Sequence, residues 1–228
     1  MHVCSLLWKV CKCNYSGLNQ YFPRNALFLP PEGGRNSAFR VGKMGGLSSY
    51  LQITYAIGGS VAAMCYSVAP RLTQDVDVMV DFTLAQLKLL VAEVERWESY
   101  VDPLESIVQD LLPMRMPINI LDGRIGARAD VYVVKHDGLD ASAMQRRRRL
   151  KLYTRPDIYA WVLAPEDVIL YKLLFFAASR GVSQKHVRDI HGILRAIEHD
   201  LDTNYLNAWT RSLNLYEVWQ QVLMEYRR

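Results

Sequence analysis

Gly58-Gly59-Ser60-Val61-Ala62, followed by Arg71-Leu72-Thr73-Gln74-Asp75-Val76-Asp77, is the stretch that decides the fold. The β-prone run Leu51-Gln52-Ile53-Thr54-Tyr55-Ala56-Ile57 ends in the glycine pair, and a helix is expected from Ser60 to about Val68. A strand, a tight Gly-Gly turn and a helix N-terminus place free backbone N–H groups side by side. Gly58 and Gly59 let that backbone approach phosphate oxygens without a Cβ in the way, and the Ser60 hydroxyl can add a donor. Such a turn also occurs as plain strand-to-helix punctuation.

Asp75 to Val80 alternates polar and apolar residues and reads as a second strand. Residues two apart in a strand share a face, so Asp75 and Asp77 point one way while Val76, Val78 and Val80 point to the core. Two carboxylates ~5 Å apart at an effective dielectric of ~20 repel by about 3 kcal/mol. A divalent ion cancels that cost, and magnesium takes a few carboxylates plus substrate phosphates. Taken alone, the Asp-x-Asp pair better suits a solvated strand face.

Further on, Thr83 is a fitting N-cap for a helix from Leu84 to about Ser99, with Leu87, Leu90, Val91 and Val94 on one face. Ile118–Leu121 and Ala129–Val134 read as strands joined by a hairpin turn carrying Asp122-Gly123 and Gly126. In the second of these, Asp130 lies opposite Val131 and Val133. If this strand neighbours the Asp75 strand, three carboxylates converge. Asp130 can then act as general base on an attacking hydroxyl or share a second metal ion. The alternative is an edge-strand acid.

Beyond Asp137 the pattern becomes helical. Pro165-Glu166-Asp167 opens a strong helix, proline at its first position and acids toward the positive dipole end. Ser183 is expected to cap the next helix, and about Thr203–Leu213 and Tyr216–Arg227 complete the half. The organisation expected is an irregular N-terminal arm over residues 1–45, an α/β core over 46–137 and a mainly helical subdomain over 138–228. The arm is punctuated by Pro30-Pro31, Gly33-Gly34, Gly42, Gly45 and Gly46, and a start assigned too far upstream accounts for it equally well.

Composition limits the rest. The chain has 228 residues, 50% of them hydrophobic and 22% charged, which is enough for a packed core and unlike a disordered chain. A net charge of +4 permits a polyanionic partner without demanding one. Cys4, Cys11, Cys13 and Cys65 make no disulfide framework, which suits a reducing, cytoplasmic setting. No apolar run approaches the ~18 residues of a membrane span. The run Arg146-Arg147-Arg148-Arg149, with Lys151, can track an RNA backbone or clamp phosphate, and a solvated helix end is its plainer reading. Trp97, Trp161, Trp209 and Trp219 are expected in the core. His186 and His191 lack the spacing of a helical metal pair.

Gly-Gly-Ser, then Arg-x-Thr-x-Asp-Val-Asp, then a lone Asp on a later strand resembles the nucleotidyltransferase superfamily of the DNA polymerase beta-type fold. Ala164-Pro165-Glu166-Asp167-Val168-Ile169-Leu170-Tyr171-Lys172-Leu173, with Lys185-His186-Val187-Arg188-Asp189-Ile190, resembles the abortive-infection (AbiEii-type) nucleotidyltransferases, which include toxins of type IV toxin–antitoxin systems. The resemblance runs from about Tyr55 to the C-terminus. It implies an α/β fold with a small mixed sheet, flanking helices and a C-terminal helical subdomain. It implies transfer of a nucleoside monophosphate from a nucleoside triphosphate to a hydroxyl, with Mg2+ as cofactor, on an RNA or protein acceptor and with an antitoxin as partner. By it, Gly58, Gly59 and Ser60 hold the triphosphate, Asp75, Asp77 and Asp130 form the metal set, Lys172 reaches the phosphates, and Asp189 is the acid of the last motif. Arg71 and Thr73 are then structural. The chain departs from the family at Val41–Leu47, where relatives carry an amphipathic helix and this sequence is a poor helix former. A non-catalytic nucleotide-binding module and an enzyme modifying an antibiotic-type small molecule are the alternatives.

Overall fold

The structure is a computed structural model and describes residues 52–68, 73, 75–123, 127–154 and 157–228. The arm expected over 1–45, with Cys4, Cys11 and Cys13, lies outside the described residues, as do Arg71 and Gly126.

Strand β1 (Thr54–Ile57) runs into helix α1 (Gly59–Cys65), and β2 (Asp75–Asp81) into α2 (Leu84–Arg96). A two-residue strand β3 (Tyr100–Val101) precedes a helical run in three pieces, Leu104–Ser106, a π turn Ile107–Leu111, and Leu112–Met114. The hairpin β4 (Ile118–Asp122) and β5 (Ala127–Val133) follows, then α3 (Gly138–Arg146) and a second hairpin, β6 (Arg148–Thr154) and β7 (Asp157–Val162). Helices α4 (Pro165–Ala178), α5 (Gln184–Ile197), α6 (Thr203–Ser212) and α7 (Tyr216–Tyr226) end the chain.

Among the described residues the strands form one mixed seven-stranded sheet in the order β3-β4-β5-β2-β1-β7-β6. The β2–β5 and β1–β7 pairs are parallel and the others antiparallel. The α/β class read from the sequence is the one observed. Val76, Val78 and Val80 are all buried, as their alternation requires. Thr83 caps α2 in a full capping box, accepting from the Gln86 amide while the Gln86 side chain accepts from the Thr83 amide.

Three local expectations are corrected. Ser183 precedes α5 but its side chain caps nothing; its amide donates instead to Ser179 Oγ at 3.1 Å. The arginine run is no solvated helix end. Arg146 closes α3, while Arg148 and Arg149 open β6, a strand whose Leu150 and Leu152 alternate inward between basic residues. Trp161 lies on β7 and is 38% exposed rather than buried. Because β6 and β7 join the common sheet, that sheet continues past residue 138.

The acids that open α4 are buried almost completely, Glu166 at 1% and Asp167 at 0% exposure. Arg146 neutralises both, through Nη2 to Glu166 at 2.7 Å and Nε to Asp167 at 3.2 Å. Tyr205 from α6 donates to Asp167 at 2.6 Å, and the Asp202 amide to Glu166 at 3.1 Å. Charges removed from water need such partners on every side. This cluster fastens α3, α4 and α6 together. It is more than the dipole complement expected from the sequence.

Candidate active site

The site begins where β1 ends. The Gly58 amide donates to the Asp77 carbonyl at 2.9 Å, so the glycine turn sits at the level of Asp77 on β2. Gly59 has φ +57°, in the left-handed region. A Cβ there would fall 1.6 Å from Asp77 Oδ2. The turn therefore needs glycine for two reasons, backbone conformation and the space that the Asp77 carboxylate occupies.

Parallel pairing sets Asp77 beside Asp130 and Asp75 beside Arg128. Neighbours in register point to the same face, with adjacent strands ~4.8 Å apart. Asp75, Asp77 and Asp130 thus share one face of the sheet, as the alternation suggested. Burial pushes the Asp77 carboxyl above the usual carboxylate range, and the Asp130 charge pushes it further, with a smaller push from Asp75. Lys172 and Lys185 act in the opposite direction.

Lys172 on α4 and Asp189 on α5 close the other side. Lys172 Nζ donates to Asp189 Oδ2 at 2.6 Å, with both side chains buried. Ser60 Oγ donates to the same carboxylate oxygen at 3.3 Å. Asp189 therefore ties the glycine turn to α4. Residues 58–60, 77, 130, 172 and 189 come from five separate elements or turns and meet in one place. Asp75 lies at their exposed margin. Thr73 Oγ1 donates to the Asp75 carbonyl at 3.1 Å.

From the sequence, Arg128, Tyr132 and Phe175 had no assigned role. Arg128 Nε donates to Asp130 Oδ1 at 2.7 Å, and its Nη2 to Asn119 Oδ1 at 2.9 Å. Its position two residues before Asp130 on a strand was the available signal, since i and i−2 share a face. The Tyr132 phenol is pushed up to about 12 by burial, with Asp77 and Asp130 adding to it. Its ring packs against Phe175 on α4, centroids 6.4 Å apart, and Phe175 stacks on His186 at 5.9 Å. Cys65 is a partly buried thiol packed against the core, pushed up to about 12 by burial.

Among the described residues no three Asp, Glu, His or Cys side chains are gathered closely enough to form a metal cage by themselves. Asp130 is engaged by Arg128, leaving Asp75 and Asp77 as the less committed carboxylates.

The mixed sheet with its flanking helices is an architecture shared with solved structures that the chain resembles. The solution structure of the antibiotic-resistance factor ANT(2'')-Ia matches at TM-score 0.51 and 16% identity, over 81% of this chain and 95% of that one. The crystal structure of ANT(2'')-Ia in complex with adenylyl-2''-tobramycin matches at TM-score 0.50 and 15% identity, over 77% and 97%. An antigenic nucleotidyltransferase-like protein from Paracoccidioides brasiliensis overlaps more loosely, at TM-score 0.39 and 17% identity over 69% and 74%. No protein-family model and no curated protein sequence matches the chain. No described helix is long and apolar enough to cross a membrane.

Proposed function

We propose that this chain transfers a nucleoside monophosphate from a nucleoside triphosphate to a hydroxyl, releasing pyrophosphate. The observation that carries the proposal is the juxtaposition of the Gly58–Ser60 turn with Asp77, Asp130 and the Lys172–Asp189 pair. The turn receives the triphosphate through backbone amides and Ser60. Asp130, fixed in orientation by Arg128, accepts the proton of the attacking hydroxyl. The hydroxyl oxygen bonds to the α-phosphorus and the α–β bridging oxygen leaves with pyrophosphate. Lys172 and Lys185 hold positive charge near the developing negative charge, so the protein's part is positioning and electrostatic stabilisation.

Magnesium fits the donor set. Asp75 and Asp77 offer carboxylate oxygens from one strand, and a magnesium ion completes its shell with phosphate oxygens and water. The mutual charge that raises Asp77 is the charge a cation offsets. When bound, the metal supplies charge neutralisation on the triphosphate.

The pattern Pro165–Leu173 with Lys185–Ile190 supports an AbiEii-type enzyme, toxin-like, acting on RNA or protein beside a cognate antitoxin. The overlap with ANT(2'')-Ia supports a second reading, a small antibiotic-type acceptor. Titrating each magnesium triphosphate calorimetrically, then following pyrophosphate release with RNA, protein lysate and small polyhydroxyl acceptors, tests the proposal. Release with one acceptor class supports it and names the acceptor. Binding with no release from any of them leaves a nucleotide-binding module instead.

A further inference from the structure

The arginine run divides by parity. Arg146 and Arg148 turn toward the buried acids of α4, Arg148 Nη2 lying 4.0 Å from Glu166. Arg147 and Arg149 turn the other way, onto aromatic rings of β7. The Arg147 guanidinium lies 4.9 Å from the Trp161 ring centroid, and Arg149 lies 4.9 Å from that of Tyr159. Lys151 Nζ approaches Tyr159 from the same strand at 5.9 Å. Cross-strand register explains the grouping, since Arg149 pairs with Trp161 and Lys151 with Tyr159. Partners in register project to one face, so four basic and aromatic side chains stand together.

This face is open. Tyr159 is 42% and Trp161 38% exposed, while Ala160 and Val162 between and beside them are buried. Among the described residues Arg149 makes no hydrogen bond or ion pair, and Arg147 donates one bond, to the Met144 carbonyl. Cation–π packing orients a guanidinium without consuming its N–H edge. Arg147 and Arg149 thus lie beside rings, the exposed Arg149 with its donor edge available for an oxyanion.

The pairing register connects the hairpin to the catalytic face. Ile57 pairs with both Val78 and Val162, so these three share a face. Asp77 and Trp161, their chain neighbours, both project to the opposite one. The basic–aromatic surface and the candidate catalytic carboxylates therefore lie on the same side of the sheet.

We propose that the β6–β7 hairpin is a docking surface for single-stranded nucleic acid. Phosphates contact the Arg147, Arg149 and Lys151 side chains, and unpaired bases stack on Trp161 and Tyr159. Spaced cations interleaved with exposed rings suit this chemistry, because every base has a face to stack while a duplex keeps its base faces covered. The inference is independent of the transfer reaction, for it concerns binding outside the residues assigned to chemistry.

The test is fluorescence anisotropy with labelled oligouridylate and oligothymidylate, in the absence of triphosphate and divalent metal, so that catalytic failure cannot affect it. Saturable binding of either strand is expected, weakening with added salt. Intrinsic tryptophan emission should be quenched in wild type, and less so in Trp161→Ala. Arg149→Gln with Lys151→Gln should weaken binding about tenfold through lost phosphate contacts. Trp161→Ala should weaken it about tenfold through lost stacking, and Trp161→Phe should recover most of it. Thermal melts of each variant establish that the fold is retained, and Trp161→Phe keeps the test decisive if Trp161→Ala does not fold. The proposal is overturned by no binding to either strand, by a blunt duplex binding as tightly, by inorganic polyphosphate competing as well as an oligonucleotide, or by binding that all variants share. Hairpin-dependent binding to anionic vesicles without binding to oligonucleotides would assign the face to a membrane surface instead.

Discussion

Lys172 on α4 and Asp189 on α5 form a buried ion pair, 2.6 Å between Nζ and Oδ2, with side chains 3% and 8% exposed. Removing one partner of such a pair costs about 3–5 kcal/mol, whereas replacing both partners by apolar residues is often close to neutral. Lys172→Met and Asp189→Leu should each lower the unfolding free energy by roughly that amount, and the double variant should recover most of it. Nucleotidyl transfer should remain lost in all three. Denaturant melts beside a transfer assay check this. A double variant that regains activity would reduce the pair to a structural fastening.

Gly59 supplies the second expectation. Gly59→Ala must shift either the turn or the Asp77 carboxylate, since a methyl group cannot stand 1.6 Å from an oxygen. We expect triphosphate binding and transfer to fall at least as far as they do in Asp77→Ala. Stability should drop by about 1–3 kcal/mol, because φ +57° also disfavours a side chain there. Calorimetric titration and thermal melts measure the two effects separately.

The pH dependence of the metal-free protein has a definite sign. Asp77 has its folded-state pKa raised by burial first and by Asp130 next. A raised acid contributes stability that is fully present below its unfolded pKa and lost as pH rises through its folded pKa. Asp77→Asn should therefore stabilise the metal-free protein at neutral pH while abolishing transfer. The gain should vanish in acid, where wild-type Asp77 is already protonated. Melting temperatures at pH 3.5 and pH 7.5 provide the comparison. Added magnesium should stabilise wild type more than Asp77→Asn at pH 7.5.

Arg146 anchors the C-terminal helices. Removing it strands Glu166 and Asp167, both essentially inaccessible to solvent. Arg146→Ala should cost about 3–5 kcal/mol, and Arg146→Lys should rescue little, because one ammonium cannot match the guanidinium's contacts with two carboxylates. Its guanidinium also lies 3.8 Å from the Tyr205 ring centroid, a contact lysine makes less well. Chemical denaturation of both variants is the measurement.

Much of the core could be read in the sequence because its signals are local. The Val76–Val80 alternation, the Thr83 cap and the proline opening α4 each follow from residues within one turn or strand. The side of the sheet on which Asp130 lies was also legible, since alternation with Val131 and Val133 sets it. Other features depend on pairing and were hidden. Strand β6 hides its alternation behind arginines whose partners, Glu166 and Trp161, come from later elements. Trp161 looks like a core residue by type, and only its position on the open face of a hairpin makes it a surface ring. The Ser60–Asp189–Lys172 contact joins residues 129 positions apart, a separation that no periodicity encodes.

The central claim is that the Asp75–Asp77 face and the Gly58 turn together move a nucleoside monophosphate. The most direct measurement incubates the protein with magnesium and acceptor pools containing RNA, protein and small polyhydroxyl compounds, using triphosphates labelled on the α- or the γ-phosphate. In wild type α-label, and no γ-label, should become covalently attached to an acceptor, and in Asp77→Asn neither label should. Attachment of γ-label, or undiminished α-transfer by Asp77→Asn, would contradict it.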